Sequence, residues 1–228
     1  MDNLKAGDLY NSNEFLYTAS DIVEGDSIYN RIINKSYVPN DYIGLDDLVY
    51  LKFLHYDYDG NTKVGELIVN KIIKDKTIDI LKKSFENKIQ FNSFKLVDDY
   101  FITDDDDRTE IDNRSIADNN SYGFFYRKIY GTERLSNHSY GCAIDINPRE
   151  NPYLPYRNGE YDYTNLTELD KKYLHNREES DNPHIITQRS PIYKIFKSQK
   201  FEWGGDWEHT KDYQHYEAEY ATKKTLWR

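Results

Sequence analysis

The chain has 228 residues, enough for one good-sized domain or two small ones, and its 15% of aromatic residues, 22 of them Tyr, can build a core under a very polar, 31% charged surface. A formal net charge of −10 argues against nucleic acid as a partner, because phosphate binding needs a basic stripe. The same acidity argues against simple adhesion to anionic membranes or polyanionic wall polymers.

Residues 1 to about 40 are polar and irregular, with a short helix expected within Asp21 to Ile33 and a turn at Ser36 to Asn40. This stretch reads as an arm lying on a domain, or as a linker. From Leu45 the apolar spacing is near-helical, and it passes into a strand over Leu51 to Tyr58. Asp59-Gly60-Asn61 signals a turn, and Val64 to Asn70 reads as the returning strand of a hairpin. Ile78, Leu81 and Phe85 recur at helical spacing within Lys74 to Lys88. Phe94 to Val97 reads as a short strand. Asp98 to Asn120 reads as a long polar loop. The acidic run Asp104 to Asp107 lies in it, but it lacks the Gly and the downstream Glu of a calcium loop and reads as solvated.

Ser121 to Tyr130 is an aromatic strand by pattern, leading to Gly131-Thr132. Pro148 to Arg157 is extended. Short helices are expected over Thr167 to His175 and Ile192 to Ser198, and Phe201 to Trp207 reads as a strand running into a glycine-rich turn. No apolar run reaches membrane-spanning length, and no signal peptide is visible at the start, which leaves the compartment open. The mixture points to an α+β fold with a small antiparallel sheet and helices to one side.

The stretch Ser136-x-His138-x-x-Gly141-x-Ala143-x-Asp145 carries the chemistry. Imidazole nitrogen and carboxylate oxygen are good zinc ligands, and a catalytic zinc takes three protein ligands. Gly141 would let the backbone turn between His138 and Asp145, and the alternation Ala143 to Ile146 would set Asp145 on a half-buried strand. The one cysteine, Cys142, excludes an intrachain disulfide and reads as a small packed residue. The third ligand must come from elsewhere. His55, His175 and His184 sit in strand or loop contexts without acidic neighbours at useful spacing. His209 reads as exposed loop. His215 is flanked by aromatics, and Asp212 stands three residues before it, where zinc hydrolysis needs a base within hydrogen-bond reach of the attacking water. His215 is therefore favoured.

This pattern, with Asp212-x-x-His215, resembles the VanY-like zinc D-Ala-D-Ala carboxypeptidases. Their wider family also contains D-Ala-D-Ala dipeptidases and the L-Ala-D-Glu endopeptidases of phage endolysins. Also similar are Asp112 to Ser115, Asn119 to Ser121, Arg127, Gly131-Thr132, Ile146-Asn147-Pro148, Glu150 to Tyr153, and Trp203-Gly204-Gly205-Asp206-Trp207, together with the hairpin around Asp59-Gly60. The resemblance covers about Asp46 to Glu219. It implies the Hedgehog/DD-peptidase-like α+β domain, with residues 1–45 as an N-terminal arm or linker and 46–228 as the catalytic domain.

The resemblance further implies a Zn2+ held by His138, Asp145 and His215. Asp212 would be the catalytic carboxylate, where many relatives carry Glu and some endopeptidases Asp. Arg127 would bind a substrate carboxylate or the polarised carbonyl. Read from the residues rather than from the resemblance, Ser136 and Asn137 are expected to orient the ligand loop, Glu217 to hold a ligand imidazole, and His209 to stand on the substrate side. The implied substrate is a peptidoglycan peptide, met outside the cytoplasm. The expected function is a D-Ala-D-Ala carboxypeptidase. The alternatives are an L-Ala-D-Glu endopeptidase, or a non-catalytic zinc-containing wall-binding module of the same fold.

Overall fold

The computed structural model describes residues 3–103, 106–164 and 166–218. Its first strand is β1 (Tyr17–Asp21), followed by helix α1 (Ser27–Ile32). A single 3-10 turn, Leu45–Asp47, leads into β2 (Leu48–Tyr56), which pairs over its whole length with β3 (Thr62–Asn70). The turn between them is built on the buried Asp57. Its Oδ1 accepts from the backbone N–H of Asp59 and Asn61, at 3.0 and 2.8 Å. The hairpin legible in the sequence is present, and its first strand begins three residues earlier than the pattern indicates. The sheet order is β1-β2-β3, so the N-terminal stretch expected to lie on the domain supplies an edge strand to it.

Both faces of β2 are covered, and the period-2 rule sorts its residues between them. Val49, Leu51 and Phe53 enter the main core with Leu67 and Val69 of β3. Leu48 and Tyr50 enter a second core with Ile22, Ile32, Tyr37 and Phe124. Helix α2 (Lys74–Glu86) covers the main core with Ile80 and Leu81, and its Phe85 joins a smaller cluster with Leu54 and Val64. Each such side chain, fully buried, stabilises by about 1.5–3 kcal/mol.

Strand β4 (Ser93–Phe94) is brief, and the segment read as a loop over Asp98 to Asn120 contains helix α3 (Arg108–Ala117) instead. Its apolar signal is weak because only Ile111 and Ser115 are buried, one turn apart. Asp107 caps it, accepting from the N–H of Thr109 and Glu110. Asp106 accepts from Ile102 and Thr103 and pairs with Arg114. Asp104 and Asp105, the rest of the acidic run, lie outside the described residues.

The aromatic stretch Ser121 to Tyr130 is not a continuous strand. Only β5 (Asn120–Ser121) pairs, parallel to β4, and beyond it single bridges join Tyr122 to Asp145 and Lys128 to Leu135. Next come β6 (Ala143–Asp145), β7 (Tyr153–Leu154) and the small hairpin of β8 (Tyr156–Arg157) with β9 (Glu160–Tyr161). Helix α4 (Glu168–Leu174) is closed by a Thr167/Asp170 capping box, and α5 (Pro191–Ser198) starts on its proline and buries Ile192 and Phe196. The chain then forms β10 (Phe201–Trp203), β11 (Lys211–Asp212) and β12 (His215–Ala218). A second antiparallel sheet, in the order β10-β12-β6, packs its Ile144 and Tyr216 face into the main core. The architecture is α+β with small antiparallel sheets. Among the described residues no helix is long and apolar enough to cross a membrane.

Candidate metal centre

The second sheet assembles the site by alternation. On β12, Tyr216 and Ala218 point into the core, so His215 and Glu217 share the other face. On β6, Ile144 goes to the core and Ala143 and Asp145 oppose it. The register pairs His215 with Asp145 and Glu217 with Ala143. His138 arrives from the 3-10 turn Asn137–Tyr140, whose N-cap Ser136 accepts from the His138 N–H at 3.3 Å. Gly141 ends that turn at φ 65°, and a Cβ there would lie 2.7 Å from Asn70 N. Both the left-handed backbone and the contact with the end of β3 therefore require glycine.

His138 Nε2, Asp145 Oδ1 and His215 Nδ1 converge, all buried. The separations are 3.2 Å from His138 to Asp145, 3.0 Å from His215 to Asp145 and 3.2 Å between the two imidazoles. Three ligand atoms on a tetrahedral zinc, each roughly 2.0–2.1 Å from it, stand about 3.3 Å apart. The donor triangle has that size, and these residues form a group that could hold a metal ion.

The outer ring nitrogens support the same reading. His138 Nδ1 lies 2.6 Å from the Gly123 carbonyl, and His215 Nε2 lies 3.1 Å from Glu217 Oε2. Both oxygens accept, so the protons belong on the outer nitrogens and lone pairs face inward. Two inward lone pairs beside a carboxylate create a place for positive charge. Burial opposes ionisation of Asp145, but the two imidazoles outweigh it and hold the carboxyl well below its ordinary range. Burial likewise opposes a charged His215, yet Asp145 and Glu217 raise its pKa well above the ordinary value.

Asp212 stands beside this group on β11, whose partner is β7, with Asp212 opposite Tyr153. Its Oδ1 is buried with no hydrogen-bond partner. Burial, reinforced by Asp145 and opposed by His215 and Arg127, pushes its carboxyl up to about 7. The close approach that seats it depends on Gly204: a Cβ there would lie 2.4 Å from the Asp212 carbonyl oxygen and 2.8 Å from its Cβ. Trp207 stands near His215, with ring centroids 5.6 Å apart.

Arg127 is pinned by a 3.0 Å ion pair with Asp112, and its Nη2 donates to the Tyr122 hydroxyl at 3.1 Å. Tyr122 in turn donates to Asp112 at 2.8 Å and lays its ring 4.9 Å from that of His138. Burial would lower the Arg127 pKa, but Asp112 and Tyr122 raise it on balance, so the guanidinium is held charged. Its Nε is buried without a partner.

The other candidates fall outside the cluster. His209 is exposed and stacks on Tyr156 at 4.8 Å. His184 stacks on Tyr58, His175 is exposed, and His55 is enclosed by phenylalanines. Burial pushes the Cys142 thiol up to about 12, consistent with a packing role. The residues that sequence reading missed are the Gly123 carbonyl, Tyr122 as the support of Arg127, and Gly204 as the seat of Asp212. A backbone carbonyl leaves no trace in residue identity. The glycine pair in Trp203-Gly204-Gly205 was visible, but not what it approaches.

A buried His–Asp–His donor set on an α+β frame defines a class: a site able to hold a metal ion, here with a carboxylate whose Oδ1 has no hydrogen-bond partner beside it. Residues 130–218 match the model of a peptidase family described as D-alanyl-D-alanine carboxypeptidase. The matched segment contains His138, Asp145, Asp212 and His215 and begins just after Arg127. No curated protein matched the chain.

Proposed function

We propose that this protein is a zinc metallopeptidase that trims D-Ala from peptidoglycan stem peptides, a D-Ala-D-Ala carboxypeptidase working outside the cytoplasm. The observation that carries the reading is the tetrahedron-sized donor triangle of His138, Asp145 and His215 with the unpartnered Asp212 Oδ1 beside it. The peptidase family match over the same residues supports it.

Zinc held by the two imidazoles and Asp145 would supply Lewis acidity toward the scissile carbonyl and toward water. Asp212 takes the proton of the attacking water and returns it to the leaving amine. In the metal-free protein, burial raises the proton affinity of this carboxyl above that of an ordinary aspartate. Arg127, held charged against Asp112, is the cation that would pair with a substrate carboxylate or the developing oxyanion. Tyr122 and Trp207, against the two imidazole rings, exclude water and fix the ring planes.

A second reading, L-Ala-D-Glu endopeptidase, is favoured by the Asp at 212, where many of the relatives that the sequence resembles carry Glu and some endopeptidases Asp. Mass spectrometry of digested peptidoglycan separates the two: loss of a single D-Ala marks the carboxypeptidase, loss of the stem the endopeptidase. Asp212→Ala is expected to retain zinc and to lose about 10²–10⁴-fold in turnover. Near-normal hydrolysis by that variant would overturn the assignment, and zinc retention with no product from the unaltered protein would indicate a wall-binding module.

A further inference from the structure

We infer that Asn137 and Glu217 form a clasp that sets the tautomer and orientation of His215 and ties the two halves of the metal centre to each other. The inference rests on the proposed metal reading. His215 and Glu217 are two residues apart on β12 and face the same side, and His215 Nε2 lies 3.1 Å from Glu217 Oε2. The same Oε2 accepts from Asn137 Nδ2. Asn137 belongs to the turn that carries His138, 80 residues away in sequence from Glu217. One carboxylate oxygen thus joins the His138 turn to the His215 strand.

The two histidines are held in unlike ways. His138 is oriented by the main-chain carbonyl of Gly123, which no side-chain substitution removes. His215 depends on a side chain. Glu217 is buried, and its position is bounded by Ala143, directly across the ladder. Side chains so paired have Cβ atoms about 4.5–5.5 Å apart, so a small residue at 143 leaves room for the glutamate to bend toward His215. A carboxylate that accepts the Nε2–H directs the lone pair of Nδ1 inward and raises its basicity. Losing such a partner typically costs about 10–100-fold in metal affinity. Asn137 fixes the carboxylate in turn, so that its oxygen cannot rotate away from the imidazole. Glu217 and Asn137 are positioning residues in this scheme and need not touch substrate.

The test measures zinc affinity by competition with a chromogenic chelator, and observes the His215 ring by ¹⁵N–¹H NMR in zinc-loaded and zinc-free protein. Glu217→Ala is expected to bind zinc about 10–100-fold more weakly and to lose the downfield, slowly exchanging Nε2–H signal. Glu217→Gln keeps an acceptor oxygen, so it should retain the signal and lose less affinity than the alanine variant. Asn137→Ala should weaken zinc binding by a few-fold and broaden the signal. Melting of the zinc-free proteins identifies a variant that fails to fold; if Glu217→Ala does, the Gln and Asn137 variants decide. Unaltered zinc affinity and an unaltered Nε2–H signal in the folded variants would overturn the clasp. If the unaltered protein takes up no zinc, the metal reading fails, and the zinc-free Nε2–H signal still decides whether Glu217 holds His215.

Discussion

His55 and His215 are both buried, and their neighbours take them in opposite directions. The His55 ring meets Phe94 edge-on at 5.3 Å and Phe91 at 6.4 Å, with its Nδ1 3.2 Å from the Tyr56 carbonyl. Burial there pulls its pKa down to about 4, so it is neutral at ordinary pH. His215 has Asp145 on one ring nitrogen and Glu217 on the other, and its pKa rises despite the burial. A buried imidazole among aromatic rings is a packing unit. The same ring between carboxylates is a place that attracts a cation. Space does not mark the chemistry either. His55 lines a cavity of about 300 Å³ with Lys63, Lys95 and Asp118, away from the donor triangle.

The contrast can be broken most severely at the metal centre. His138→Ala should abolish zinc retention after dialysis, read by elemental analysis, while His55→Leu should leave the zinc content unchanged. Zinc lost equally in both would erase the distinction.

Next in size is the acid response of His55. Its folded pKa, about 4, lies below the unfolded value of about 6.5, so the protonated form is disfavoured in the folded protein. The contribution of His55 is therefore present above pH 6.5 and is lost as pH falls toward 4, by about 3 kcal/mol at pH 4. The stability difference between the unaltered protein and His55→Leu, from denaturant titrations at pH 7.5 and 4, should shift by that amount. An unchanged difference would place His55 in a wetter environment than its ring contacts imply. The smallest effect is expected from Gly204→Ala, where the added Cβ meets Asp212. It should cost about 1–2 kcal/mol and slow hydrolysis while zinc stays bound.

Much of the frame was legible because periodicity survives in single elements. The hairpin turn at Asp59-Gly60-Asn61, the stripe of Ile78, Leu81 and Phe85, and the alternation from Ala143 to Ile146 each follow from one local rule. Helix α3 was missed because its buried stripe is two residues long, and Asp107, its cap, was read as part of a charge run. The strand read over Ser121 to Tyr130 failed for a related reason. Its aromatics serve two cores, Phe124 in one and Phe125 in another, without a continuous partner strand. In the candidate site, residue type, spacing and the family resemblance singled out His138, Asp145 and His215, and these three meet in one buried cluster. The support of Arg127 was not legible, because Asp112 and Tyr122 meet it only in three dimensions.

The pairing of β6 with β12 has a further consequence. With a metal ion held there, His138 and His215 become the ends of a closed loop of about 77 residues. A chain with a single cysteine has no internal disulfide to do this. On loop-entropy grounds a cross-link of that span is worth about 4.5 kcal/mol against the unfolded chain. The ion would then act as a removable staple, and chelation would loosen the fold as well as silence the site.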